Sequence, residues 1–119
     1  MPAAFVFPGQ GSQKVGMGAE LAQTRIGHEL FERAEASLSL PLRRLCLEGP
    51  DDQLSRTENT QPALYVVSAI AAVLLKERGW RPQAMAGHSL GEYSALHAAG
   101  ALAFEDGLRV VRRRGELMA

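Results

Sequence analysis

Between Ala63 and Leu75 the chain runs for thirteen residues without a charge, and it carries a hydroxyl only at Tyr65 and Ser68. A helix built from this stretch has no polar face, so it must be covered on all sides. Thirteen residues fall short of the roughly twenty that cross a bilayer, which leaves the inside of a globular domain. Thr60 can cap such a helix, Pro62 suits its first turn and Gly79 stops it. The spacing therefore predicts a central buried helix from near Pro62 to Gly79. With 119 residues in all, one core is expected around it.

The flanking segments alternate in type. Ala4-Phe5-Val6-Phe7 is a short apolar run cut by Pro8-Gly9, the pattern of a buried parallel strand entering a loop. From Gly16 to Ser39, residues such as Met17, Leu21, Ile26, Leu30 and Ala34 recur at helical spacing, predicting two short amphipathic helices with a break near Gly27. Glu48 to Asn59 is polar and contains Gly49-Pro50-Asp51-Asp52, which predicts an exposed turn with one helical turn after it. Pro82 precedes a small-residue strand, Gln83 to Gly87, and then a helix from Ser89 to Ala99 stopped by Gly100. A last helix runs from Phe104 to the end of the chain. Strands alternating with helices imply an α/β layered fold.

Composition excludes several classes of function. A chain that is 46% hydrophobic and 22% charged is globular rather than disordered. Thirteen basic residues balance thirteen acidic ones, so no overall field draws in nucleic acid or an anionic membrane. The single cysteine, Cys46, cannot form an internal disulfide, and its neighbours Leu45 and Leu47 mark it as a small buried hydrophobe. A reducing cytoplasm is the expected location. No basic segment followed by a sustained apolar run opens the chain, so no signal peptide is expected.

Chemistry concentrates at Gly87-His88-Ser89-Leu90-Gly91. This is the pattern of a nucleophile elbow, where a sharp strand-to-helix turn pushes a serine into solvent and flanking glycines let backbones approach. The bland alternative is a glycine-bounded turn whose serine caps the next helix. Backbone N–H groups at a helix N-terminus point at an anion, which makes Leu90 N–H the natural first oxyanion donor. A second glycine-rich loop, Pro8-Gly9-Gln10-Gly11-Ser12-Gln13, could add another N–H to the same oxyanion or be a plain tight turn. Neither phosphate-binding fingerprint fits it, because Lys14 stands where G-x-G-x-x-G needs its third glycine and no G-K-[ST] occurs.

The terminal helix gives a separate signal. Rotating positions by about 100° per residue puts Phe104, Leu108, Val110, Val111, Leu117 and Met118 on one broad arc, and Arg114 falls inside it. Glu105, Arg109, Arg112, Arg113 and Glu116 take the opposite, solvated face. A guanidinium aimed at a core needs a partner. An internal salt bridge, a stem whose head escapes to water, or a carboxylated ligand would each answer.

Together these features resemble the malonyl-CoA:acyl carrier protein transacylases of fatty-acid synthesis and the related acyltransferases of polyketide synthases. The likeness rests on Phe5 to Gln13, on Thr60-Gln61-Pro62-Ala63, on Ala86 to Leu96, and on Arg114-Gly115 before Leu117-Met118. It implies a parallel-sheet, hydrolase-like acyltransferase core, with residues 1–119 as the N-terminal part of its large subdomain. Ser89 would be the acylated nucleophile, Gln10 and Leu90 the oxyanion hole, and Arg114 the clamp for the malonyl carboxylate. Gln61 resembles the family's active-site glutamine, and His88 lines the site beside the nucleophile or is a satisfied core histidine. Malonyl-CoA and the phosphopantetheine thiol of an acyl carrier protein would be the substrates, with no other cofactor and no metal.

The resemblance also marks an absence. The family carries its general-base histidine far downstream, together with the rest of the sheet and a small ferredoxin-like subdomain. His97 lies two helical turns beyond Ser89, at roughly 12 Å of rise, and His28 lies in an unrelated segment, so both are expected to be structural or exposed. The chain is therefore expected to be a fragment, or one piece of a split protein that needs its complement. Two further readings stay open: an acyl hydrolase acting on carrier-bound groups, and an inert half-domain that serves by binding.

Overall fold

The computed structural model describes residues 2–119 and is an α/β fold. Strand β1 (Ala4–Phe7) is followed by helices α1 (Ala19–Ala22), α2 (Arg25–Leu38), α3 (Leu42–Glu48), α4 (Asp51–Leu54) and α5 (Thr57–Glu77). Strand β2 (Ala84–Gly87), α6 (Gly91–Ala98) and α7 (Phe104–Met118) complete the order. The two strands are parallel, with Ala4 opposite Ala84 and Phe7 opposite Gly87. Alternation sends Phe5 and Phe7 inward onto Ala72 of α5 and Ala95 and Ala98 of α6. Val6, on the other face, is 76% exposed.

Helix α5 is the centre of the molecule. Every residue from Thr60 to Val66 is buried, as are Ser68, Ala69, Ile70 and Ala72. Around it lie Leu30, Phe31 and Ala34 of α2, Leu42, Leu45 and Cys46 of α3, and Phe104, Leu108 and Val111 of α7. Each large side chain fully buried here, Tyr65 and Ile70 among them, contributes roughly 1.5–3 kcal/mol relative to exposure. Burial pushes the Cys46 thiol up to about 12, so it is a core residue and no nucleophile at neutral pH. Among the described residues, no helix is long and apolar enough to cross a membrane.

Local expectations were corrected at several points. The helical break falls at Gln23-Thr24 rather than at Gly27, because the Thr24 side chain accepts from Gly27 N–H at 2.9 Å and caps α2. Helix α3 was not anticipated, although Leu42, Leu45 and Cys46 stand at the i, i+3, i+4 positions that mark a buried face. Helix α4 is the expected single turn, with Asp51 and Asp52 exposed, but its Leu54 is fully buried. Most consequentially, α5 begins at Thr57, five residues before Pro62. Thr60 is not its cap: its hydroxyl donates back to the carbonyls of Leu54 and Arg56, at 2.5 and 3.0 Å.

Candidate active site

The elbow has the geometry its glycines require. A Cβ on Gly87 would stand 2.0 Å from the Gly91 carbonyl carbon, and one on Gly91 would stand 2.2 Å from the Phe7 carbonyl oxygen. Strand β2, the start of α6 and the end of β1 can approach this closely only with bare backbone at both positions. Ser89 between them has φ 55°, a left-handed conformation that a residue with a Cβ adopts at a cost of roughly 1–3 kcal/mol. Such strain fixes the direction of the side chain, and Ser89 is exposed rather than packed away. Leu90, next in sequence, has a fully buried side chain, and among the described residues no backbone carbonyl pairs with its N–H. Helix α6 accordingly starts at Gly91 rather than at Ser89.

Helix α7 brings the arginine to the serine. One nitrogen of Arg114 donates to Ser89 Oγ at 2.9 Å and the other to Gln61 Oε1 at 2.8 Å. Its guanidinium carbon lies 5.7 Å from the centre of the Tyr93 ring, within reach of a cation–π attraction. Among the described residues no carboxylate lies within ion-pair distance of Arg114. Because arginine only donates, the Ser89 hydroxyl keeps its own proton free to leave. Gln61 is fully buried. Its Nε2 donates to Thr57 Oγ1 at 3.0 Å, and also reaches Met118 Sδ at 3.4 Å. Thr57 Oγ1 in turn donates to Gln10 Oε1 at 2.6 Å. A single chain of hydrogen bonds thus runs from the glycine-rich loop to the elbow.

What holds α7 at this height is its contact with the start of α5. A Cβ on Gly115 would stand 2.7 Å from Glu58 Cα and 2.8 Å from the Thr57 carbonyl oxygen, so the two helices touch backbone to backbone beside Arg114. Pro62 has no N–H for the Glu58 carbonyl one turn earlier, and Arg112 supplies the missing donor. Its guanidinium reaches Glu58 O at 2.5 Å and Asn59 Oδ1 at 2.9 Å. Arg112 is thus half-buried and structural, not a member of the solvated face where helical rotation alone put it. The apolar arc needs a matching correction. Phe104, Leu108 and Val111 are buried with Gly107 and Gly115, whereas Val110, Leu117 and Met118 are exposed beside Arg114.

The three histidines sit elsewhere. The His88 ring lies over Gly9, with Nδ1 3.2 Å from where a Cβ would be, and its backbone N–H donates to Phe7 O at 3.2 Å. It therefore packs the glycine-rich loop against the elbow. His97 meets the stacked rings of Tyr65 and Phe104 edge-on, at ring-centre distances of 5.8 and 5.6 Å. Burial, and then the charges of Lys76 and Arg33, hold its pKa below the usual histidine range. His28 is exposed on α2. Among the described residues no histidine is hydrogen-bonded to the Ser89 hydroxyl. Thr57 and Tyr93 are the neighbours that sequence reasoning missed. Each stands four residues from a recognised position, Gln61 and Ser89, and would have been found by following the helical face.

Known proteins resemble this chain in sequence and in fold. The malonyl CoA-acyl carrier protein transacylase of Synechocystis sp. is 51% identical over 119 residues, covering 100% of this chain and 40% of that protein. The polyketide biosynthesis malonyl CoA-acyl carrier protein transacylase PksC of Bacillus subtilis is 51% identical over 116 residues, covering 97% and 40%. The crystal structure of the Synechocystis enzyme superposes with a TM-score of 0.95 over 99% of this chain and 40% of its own. A malonyl-transacylase solved in complex with a type II polyketide acyl-carrier protein gives 0.94 at 44% identity, over 99% and 39%. The chain spans about 40% of the length of the relatives it matches. The acyl transferase domain family matches residues 4–119, and this chain belongs to it.

Proposed function

We propose that the chain supplies the nucleophile, the oxyanion donors and the carboxylate clamp of a malonyl-CoA:acyl carrier protein transacylase serving fatty-acid or polyketide synthesis. Ser89 Oγ attacks the thioester carbonyl of malonyl-CoA, and the charge that builds on the carbonyl oxygen is met by the N–H groups of Leu90 and Gln10. CoA leaves as its thiol and a malonyl-serine ester remains. The phosphopantetheine thiol of the acyl carrier protein then attacks that ester and releases Ser89. Arg114 holds the malonyl carboxylate through paired N–H bonds, with Gln61 at its side and His88 lining the loop edge of the site.

One observation carries this reading. Among the described residues the arginine beside the strained serine hydrogen-bonds to neutral oxygens and pairs with no carboxylate, so its charge is available to an anion bound next to the nucleophile. The positions of the three histidines support a base that comes from outside these 119 residues, and the isolated chain is then inactive. A single buried cysteine fits work in the cytoplasm. No cofactor beyond the two thiol carriers and no metal enters the scheme.

Intact-mass measurement after incubation with malonyl-CoA tests it, using the protein that carries this chain. A malonyl adduct is expected, and Ser89→Ala should abolish it; an adduct that survives the substitution rejects the nucleophile. Adding acyl carrier protein should move the malonyl group to the carrier. Release of free malonate instead would make the protein a hydrolase, and no adduct under any condition would leave a binding role only.

A further inference from the structure

The hydrogen-bond chain through Thr57 has a direction, and the direction follows from its ends. Arg114 can only donate, so Gln61 must turn its carbonyl oxygen toward it. The Gln61 amide nitrogen then faces the opposite way, inside a fully buried side chain, and needs an acceptor. Thr57 Oγ1 is that acceptor at 3.0 Å, and the one proton of its hydroxyl goes to Gln10 Oε1 at 2.6 Å. Amide groups are nearly symmetric in shape, so nothing steric stops Gln61 from flipping and presenting its NH2 to the guanidinium. The threonine hydroxyl, with one proton and two lone pairs, accepts from Gln61 and donates onward to Gln10, so it holds the amide in the sense that Arg114 sets and carries that sense to the loop.

We propose that Thr57 is a positioning residue for carboxylate selection. It locks the Gln61 amide with its oxygen on Arg114, and through Gln10 it ties the glycine-rich loop to the same lock. Carboxylate recognition at Arg114 and the placement of the loop are thereby coupled through one hydroxyl. The proposal rests on the reading of Arg114 as the malonyl clamp. An acyl group without a distal carboxylate makes no use of that clamp, so it depends less on Thr57.

The test compares malonyl with acetyl loading in the protein that carries this chain. Thr57→Val keeps the branched shape but removes both hydrogen bonds, leaving the buried amide nitrogen only the weak Met118 Sδ acceptor. It should lower the kcat/KM for malonyl-CoA about 10-fold to 100-fold and that for acetyl-CoA several-fold less, and Thr57→Ser should restore most of the difference. Thermal melting of each variant separates this from loss of fold, which lowers both substrates together. A double-mutant cycle supplies the decisive arm. Once Arg114→Ala has lowered the malonyl to acetyl ratio, adding Thr57→Val should lower it little further. Independent, fully additive losses overturn the inference. If Arg114→Ala lowers the ratio while Thr57→Val leaves it unmoved, the inference alone fails. If Arg114→Ala itself leaves the ratio unmoved, the clamp reading fails and the inference falls with it.

Discussion

Two guanidinium groups in this molecule have similar surroundings and opposite partners. Arg33 of α2 lies 5.1 Å from the centre of the Phe104 ring and grips Glu105 with two bonds of 2.7 Å. Arg114, near the far end of α7, lies 5.7 Å from the Tyr93 ring but holds only the oxygens of Gln61 and Ser89. Glu105 satisfies Arg33, and that bond holds its carboxyl below the usual carboxylate range. Among the described residues nothing of the kind neutralises Arg114. An arginine already matched to a carboxylate is structural, whereas one held in place by neutral acceptors is positioned without being satisfied. On the proposed reading of Arg114 the difference separates a strut from a clamp, and it cannot be read from burial or from aromatic contact.

The largest effect should come from removing the unmatched group. Arg114→Ala is expected to reduce malonyl loading about 100-fold, the loss of a charge-assisted, two-pronged contact, while Arg33→Ala changes it less than about two-fold. Steady-state kinetics with malonyl-CoA check both, and equal losses would erase the distinction. Next, Gln61→Glu should turn Arg114 into a second Arg33 by giving it a resident carboxylate. The KM for malonyl-CoA should rise about ten-fold as substrate competes with that internal partner, and an unchanged KM would show that the neutral oxygen is not what keeps the cation available.

Smaller effects test the scaffold of each site. Gly115→Ala forces α7 away from Thr57 and Glu58, and should cost roughly 1–3 kcal/mol by denaturant unfolding while weakening malonyl loading. At the Arg33 end, His97 is held below its ordinary pKa of 6.5, chiefly by burial. The unfolded chain therefore takes up a proton there before the folded one does. Stability contributed by neutral His97 is complete above that value and declines as pH falls toward the lower folded value. Melting temperature should drop between neutral pH and mildly acidic pH, and His97→Gln should flatten the drop. The Glu105 carboxylate acts in a separate window, losing its contribution as pH falls below its ordinary 4.5 toward its lowered folded value. Because Arg33 and Glu105 are 43% and 35% exposed, Glu105→Gln should cost only about 0.5 kcal/mol at neutral pH, and less in high salt.

Much of the candidate site was legible in the sequence, for a definite reason. The elbow is local: Gly87, Ser89 and Gly91 meet within five residues, and their spacing alone states the turn. Arg114 showed itself by breaking an apolar arc. The remainder depends on contacts between segments far apart in sequence. Pro62 looks like the first residue of a helix, and only the Arg112 guanidinium on the Glu58 carbonyl explains how it can sit one turn inside. With the start of α5 misplaced, Thr57 fell in a polar stretch and its hydroxyl could not be connected to Gln61. Val110, Leu117 and Met118 were assigned to the core because periodicity reports an apolar surface but not what covers it.

The proline has a consequence for the order in which the molecule is assembled. While the chain is being synthesised, α5 emerges with one carbonyl that no residue of its own can answer, and the answering donor is the fiftieth residue after Pro62. The first turn of the central helix is therefore finished only when the last helix docks, and Arg114 arrives in that same event. On the proposed reading of Arg114, the scaffold and the carboxylate clamp thus mature together.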